Sequence, residues 1–256
     1  MSALSLTLLT IPGIPLIKSG DNLAEIILES IRRSDIDIMD NDILVIAQKI
    51  VSKSEDRIVE LASVTPGKEA LRLAKIADKD PRLVELILQE SKEVIRCKEG
   101  VIIVEHRSGT VMANAGIDHS NVADTQNSEL VCLLPIDSDR SASTLRKELE
   151  DQTKCQLGVI INDSVGRAWR VGTVGLALGC SGVLPLRDLR GKQDLFGQTL
   201  RVSETADADA LASAACILMG EADDASPAVI IRGFKSNESQ LNTNCLIRPK
   251  QDDMFR

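Results

Sequence analysis

Apolar positions along this chain recur with two periods, and the period changes often. Leucines alternate with serine and threonine over the first ten residues, which predicts a half-buried strand. Leu23, Ile26, Ile27 and Ile31 then share one helical face, in a helix that Asp21 can cap and that runs to about Arg33. Residues 43–47 form an unbroken apolar run, a buried strand, and residues 48–55 leave it with polar side chains at alternate positions. Helices are predicted over 67–78 and 81–92, the second opened by Asp80 and Pro81. Strands follow near 93–97, 101–106 and 110–114, the last two joined as a hairpin through Ser108 and Gly109. Beyond them come a strand at 131–134, a helix at 141–153 capped by Ser141, and a strand at 157–162 that delivers Asp163. The glycine-rich stretch 171–188 reads as strand pieces, 207–220 as an alanine-rich helix ending at Gly220, and 228–231 as a last strand.

Strands and helices neither alternate regularly nor segregate, and hairpins occur. The pattern predicts an α+β fold with mixed or antiparallel sheets and packed helices, not a doubly wound sheet. No repeat, linker or low-complexity boundary interrupts it. Residues 1–234 read as one domain, with room for two intertwined subdomains, and residues 235–256 as a polar, loosely held tail. The loop over residues 11–20 carries two prolines and two glycines yet is too apolar for a mere solvated connection, so it is expected to line something.

Composition narrows the function. The 256 residues are 43% hydrophobic, enough for a sizeable core, and carry a formal charge of -8. Such a balance argues against a nucleic-acid footprint, and any anionic substrate must meet a local focus of Lys, Arg or metal. With no Tyr, one Trp and three Phe, base-stacking platforms are scarce. The six cysteines form no CxxC pair and read as reduced thiols of a cytoplasmic protein. Two histidines are too few for imidazole-based metal or triad chemistry. The Gly-Cys-Ser-Gly segment at 179–182 looks like a nucleophile turn, but without a histidine partner Cys180 reads as packing. The N-terminus lacks a basic region before its apolar residues, and no apolar run approaches the roughly 20 residues of a membrane helix, so no membrane association is expected.

Two stretches concentrate polar chemistry behind apolar runs. In residues 159–172 the run ends in Asp163, Ser164, Arg167 and Arg170; in 114–121 small residues precede Asp118, His119 and Asn121. Acid and hydroxyl oxygens suit a hard divalent cation, whose shell is commonly completed by water and substrate phosphates. Neither GxxxxGK[ST] nor a strand-borne GxGxxG is present, so phosphates would be held by another fold. Lys53 and Glu221 complete the set. Taken singly, Asp118 could cap a turn, Asp163 end a strand, and Lys53 and Glu221 be solvated charges. Their co-occurrence behind two strands suggests one nucleotide and metal site. Trp169, the sole tryptophan, is expected to respond to nucleotide with metal.

Six ordered segments carry a resemblance: residues 14–17, 47–53, 114–121, 133–142, 162–172 and 219–221. Together they resemble the coenzyme F420-0:L-glutamate ligases over roughly residues 11–233. The resemblance implies an intertwined homodimer that uses GTP to join L-glutamate to a deazaflavin side chain through an acyl phosphate, with successive γ-glutamyl additions possible. It implies Mg2+ or Mn2+ at two sites and leaves room for K+. Matched position by position, Ile14, Pro15, Leu16, Ile17, Gln48, Lys49, Lys53 and Asn121 fall in nucleotide-binding segments. So do Met219, Gly220, Glu221, Ala222, Asp223, Asp224, Ala225 and Ser226. Asp118 and Asp163 match the ligands of one metal, Ser164 and Glu221 those of the other. Lys53 and Asp163 are the expected catalytic groups. Arg167 and Arg170 are added to them from chemistry alone, as forked donors for the phosphodiester or carboxylates of the substrates. Asn162, Ser164 and Asp56 depart from the family pattern, which more often has Ser or Thr, Thr and Gly there. The same chemistry on a folate acceptor and a metal-dependent nucleotide phosphohydrolase are the alternative readings; a non-catalytic nucleotide-binding regulator is disfavoured, because such acids are costly to bury together without a cation.

Overall fold

The computed structural model describes residues 4–119, 129–236 and 241–255. In chain order, β1 (Thr7–Thr10) and α1 (Leu23–Arg33) lead to β2 (Asp42–Ala47), α2 (Gln48–Ser54) and β3 (Ile58–Glu60). Next come α3 (Lys68–Ala77), α4 (Pro81–Gln89), β4 (Ser91–Lys98), β5 (Val101–His106), β6 (Val111–Ala113) and β7 (Leu130–Cys132). The remainder comprises α5 (Ser138–Thr153), β8 (Leu157–Arg167), β9 (Arg170–Ser181), β10 (Leu186–Asp188), β11 (Glu204–Ala206), α6 (Asp207–Met219) and β12 (Ala228–Arg232). This is the expected α+β arrangement of mixed and antiparallel sheets with packed helices. Among the described residues, no helix is long and apolar enough to cross a membrane.

The central sheet has the order β1-β12-β2-β8-β9, and only its β2–β8 seam is parallel. Between Asp42 at one end of the seam and Asn162 at the other, both strands are apolar because both faces are covered. Leu44, Ile46, Val159 and Ile161 pack on one side under α1 and α5, with Ile27, Ala142 and Leu149. Ile43, Val45 and Ile160 pack on the other side under α6, with Leu211, Ala212 and Ala215. Burying each such large side chain contributes roughly 1.5–3 kcal/mol. A separate cluster joins α3 and α4 to the β4-β5-β6 sheet through Leu73, Val84, Ile87, Ile102 and Val104.

Local chemistry revises several sequence-based expectations. Asn22, not Asp21, caps α1 by accepting from the Glu25 N–H at 3.2 Å, while Asp21 accepts from the Lys18 N–H at 2.8 Å. Asp137 rather than Ser141 caps α5, which therefore starts three residues earlier than predicted. Residues 48–54 are helical, because Gln48, Ile50, Val51, Ser52 and Lys53 are buried in tertiary contacts that outweigh the local alternation. Ser91 and Lys92 belong to β4, not to the preceding helix. The glycine-rich stretch is mostly one long strand, β9, whose Gly175 and Gly179 lie so close to the backbones of α6 and α5 that a β-carbon would collide with them. The tail is not loose in its described part. Thr243 is buried and donates through N and Oγ1 to Asp139, at 3.2 and 2.9 Å, and Lys250 lies within 2.9 Å of Glu93 and 3.1 Å of Glu105.

Asp56 has φ 59°, in the left-handed region where glycine is the unstrained residue and where the resemblance expects one. Asp56→Gly should stabilise the fold by about 0.5–1 kcal/mol, since relief of the left-handed strain exceeds the entropy that glycine adds to the unfolded chain. A urea melt in which the variant matches or falls below the parent would show that Asp56 is held there by compensating contacts.

Candidate functional site

At the carboxyl ends of the parallel pair, Ala47 stands beside Asn162, and both chains leave the sheet there. Ligands of open sheets gather at such places because backbone groups at strand ends are released from the ladder. After Ala47 the chain turns directly into α2, which carries Gln48, Lys49 and Lys53. β8 instead continues as a hairpin with β9, its register shifting between Ile161 and Asn162. Asp163 therefore lies within a strand and not at its end, as the sequence suggested: the residues after it keep pairing, Asp163 with Leu176 and Ser164 with Gly175.

Asp118 arrives by a strained route. Asn114, Ala115 and Gly116 have φ of 52°, 55° and 68°, a left-handed run that costs roughly 1–2 kcal/mol per non-glycine residue. The run is held by burial of Ala115 and by the Asn114 side-chain Oδ1, which accepts from the Ile102 N–H at 3.2 Å. At Gly116 a β-carbon would press on Leu134, so side-chain bulk is excluded as well. Asp118 and Cys132 then exchange backbone hydrogen bonds at 3.0 and 2.8 Å, which fixes where the carboxylate emerges. Strain of this kind persists where surrounding structure holds it, often at functional positions.

These elements enclose a cavity of about 540 Å3. It gathers Ile14, Pro15, Leu16 and Ile17 from the loop after β1; Gln48, Lys49 and Lys53 from α2; and Asp118, Asp163 and Ser164. The segment from Met219 to Ser226 completes it. Of the residues expected there, Asn121 falls outside the described residues. Sequence reasoning missed Cys216 and the lining role of Asn162. Asn162 is buried and donates to the Cys216 and Met219 sulfurs, at 3.1 and 3.6 Å, while its Oδ1 has no hydrogen-bond partner among the described residues.

The charges in this cavity are tightly arranged. Lys49 Nζ is 2.6 Å from Asp118 Oδ2, and Glu221 accepts from two hydroxyls, Ser164 at 2.9 Å and Thr173 at 3.2 Å. Burial pushes the Asp163 carboxyl up to about 7; the Ser164 N–H donated to it at 2.9 Å pulls the other way, and the charges of Asp118 and Glu221 add to the rise. Burial likewise lowers the pKa of Lys53. Gly220, at φ 70°, leaves no room for a β-carbon beside the Asp224 carboxylate, which accepts from the Ala222 N–H at 3.3 Å.

Among the described residues no three acidic, histidine or cysteine groups converge into a ready cage for a metal. The donors do suit a hard divalent cation that keeps open positions. Asp118, Asp163, Ser164 and Glu221 are all oxygen donors, and three carboxyls this close together suit a cation in addition to the Lys49 ammonium already beside Asp118.

Arg167 and Arg170 do not reach this cavity. They line a larger one, about 1140 Å3, on the far side of the β8–β9 hairpin. Asp163 and Ser164 line the smaller cavity, and Val165, Gly166 and Arg167 line the larger, so the strand passes from one to the other between Ser164 and Val165. Thr173 lines the larger cavity and donates to Glu221 of the smaller, so one hydrogen bond spans the wall. Lys92, Arg96, Arg107 and Arg248 add to the two arginines. The acids of the lining, Asp137, Asp139, Asp209 and Asp253, each already accept a backbone N–H, from Arg140, Cys180, Ala177 and Phe255. With six Lys and Arg side chains against four acids, the lining is net cationic on an acidic protein, with apolar walls from Leu134, Val165, Leu176 and Leu178. Trp169 stands at the exposed hairpin tip, φ 67°, between residues of this cavity and away from the lysines and acids of the first. Its emission should follow a ligand of the larger cavity in place of nucleotide.

A family model described as F420-0:Gamma-glutamyl ligase matches residues 13–233. The chain is 43% identical over 255 residues to the "Coenzyme F420:L-glutamate ligase" of Methanothermobacter thermautotrophicus, covering 99% of this chain and 100% of that one. It is 44% identical to the protein of the same name from Methanocaldococcus jannaschii, covering 95% and 94%, and 42% identical to that from Methanopyrus kandleri, covering 97% and 98%.

Proposed function

The chain belongs to the F420-0:gamma-glutamyl ligase family, and from that premise we propose that it joins L-glutamate to coenzyme F420-0 at the expense of GTP. The observation that supports this most directly is the pair of cavities on either side of one hairpin wall. One offers lysines and hard oxygen donors, the other arginines with apolar walls. A ligase of this kind must bind both a nucleoside triphosphate and an anionic acceptor, and the two linings suit one each.

In this reading Ile14 to Ile17, Gln48 and the 219–226 loop enclose the nucleotide, and Lys49 and Lys53 meet its phosphates. Phosphates beside Lys53 restore the charge that burial disfavours. Asp118, Asp163, Ser164 and Glu221 would hold Mg2+ or Mn2+, which when bound offsets charge on the phosphoryl oxygens. Arg167 and Arg170 orient the acceptor by its phosphodiester and carboxylates. The acceptor carboxylate takes the γ-phosphoryl group, releasing GDP and leaving an acyl phosphate; the glutamate amine attacks its carbonyl, a proton leaves the nitrogen, and inorganic phosphate departs. Positioning and charge stabilisation carry such a transfer without a protein nucleophile, in keeping with the scarcity of histidine.

The arm between β10 and β11 adds support for a homodimer in this reading. Leu195 and Phe196 at its end are almost fully exposed, apolar surface that a second copy would cover. Phe196→Asp should shift the protein from dimer to monomer at micromolar concentration in light scattering; a monomeric parent would remove the dimer from the proposal.

The deciding assay combines protein, GTP, Mg2+ or Mn2+, L-glutamate and F420-0, and weighs the products. A mass gain of one glutamate residue, or several, with stoichiometric GDP is expected. Product from folate alone would move the acceptor, and GDP release indifferent to acceptor and glutamate would point to a phosphohydrolase.

A further inference from the structure

We propose that the C-terminal segment 241–255 forms a working wall of the larger cavity, and that Arg248 and Phe255 are specificity-determining residues for the acceptor. The inference rests on the reading of that cavity as the acceptor site. The segment lies beyond the last residue matched by the family model, so nothing in that match assigns it a role.

Three observations carry it. First, the segment is pinned where it crosses the cavity. Thr243 Oγ1 donates to Asp139 at 2.9 Å and lies 3.1 Å from the Leu178 carbonyl, while Lys250 pairs with Glu93 and Glu105 on the opposite sheet. Second, the pinned stretch turns Thr243, Leu246, Arg248 and Phe255 toward the cavity. Third, two of the chain's four aromatic residues meet at the rim. The Phe255 ring lies 6.1 Å from that of Trp169, tilted by 56°, and the Arg248 guanidinium stands 5.8 Å from the Phe255 centroid. Both rings remain open to solvent, Phe255 at 57% and Trp169 at 85%. Aromatic rings left wet at the mouth of a cationic cavity fit a ligand with a flat conjugated portion and anionic groups: the plane lies against the rings and an anion meets the guanidinium.

The test uses the full-length chain. Arg248→Met and Phe255→Ala are exposed changes whose melting curves should overlay the parent. Each should raise KM for F420-0 about tenfold while KM for GTP stays within about twofold, and Arg248→Lys should recover part of the loss by keeping a charge. A second readout needs no turnover. Trp169 emission should be altered by F420-0 and not by GTP, with the apparent Kd for F420-0 weakened about tenfold in both variants. Acceptor KM and Kd unchanged in both variants would overturn the assignment, as would equal shifts for acceptor and GTP. An inactive parent that still binds F420-0 through Arg248 and Phe255 would sink the ligase reading and leave this one standing.

Discussion

Asp163→Asn is expected to lower glutamylation at least about a thousandfold while leaving the fold intact, because it removes one carboxylate charge without changing shape. Asparagine keeps an oxygen that can accept the Ser164 N–H, so the hairpin pairing should survive, as circular dichroism can check. In the proposed reading, what is lost is the anion that would balance a cation against the phosphates. Activity within tenfold of the parent would exclude Asp163 from the metal site. The same variant carries a stability signature. Burial raises the Asp163 carboxyl to about 7, so the folded chain holds that proton more tightly than the unfolded chain does. The group's penalty therefore accrues as pH climbs from the ordinary carboxylate range to about 7, then levels off. In metal-free buffer the stability advantage of Asp163→Asn over the parent should widen between pH 5 and pH 8. A constant gap would mean that this carboxyl ionises as freely as in the unfolded chain.

The largest loss of stability is expected from Asp42→Ala. Asp42 opens β2 and is completely buried, where it receives Arg232 of β12 in a two-pronged contact, Nε to Oδ1 at 2.8 Å and Nη2 to Oδ2 at 2.6 Å. Asp42 Oδ2 also accepts the Met39 N–H at 2.9 Å, and Arg232 donates to the Asp37 carbonyl at 2.6 Å, so the pair staples the loop before β2 to the sheet. Removing one partner strands a partly buried guanidinium and an N–H, a cost of about 3–5 kcal/mol. Replacing both, as in Asp42→Leu with Arg232→Met, should recover most of that in urea denaturation, since the desolvation cost of the charges disappears with them. A loss below about 1 kcal/mol in the single variant would show that Arg232 escapes to water.

The ionic staple was invisible in the sequence, and the reason is general to what was legible. Features set by neighbours along the chain were read well: the buried strand β2, the Asp80 and Pro81 start of α4, and the small and acidic residues behind apolar runs that mark Asp118, Asp163 and Glu221. Features set by distant partners were not. Helix α2 looks like an alternating strand until its Ile50 and Val51 find the α1 and α5 core. Asp163 looks like a strand end because the apolar run stops before it, yet β9 comes back to pair with Asp163 and the residues beyond. Thr243 is a polar residue in a polar stretch, and only Asp139, a hundred positions earlier, makes it an anchor. Arg167 and Arg170 follow Asp163 closely in sequence, and only the folded hairpin shows that they line a different cavity.

The single parallel seam also dictates when the molecule can begin to work. Pairing Ala47 with Asn162 closes a very long loop, and the entropy of that closure must be met before the seam yields any contact energy. The helices α3 and α4 and the sheet beside them lie wholly inside the loop and bury their own cluster, so they can compact while the ribosome is still adding the rest. Lys49 and Lys53 emerge early but stay without Asp163 and Glu221 until the C-terminal half is made. Competence for the proposed nucleotide is therefore expected to come late in synthesis.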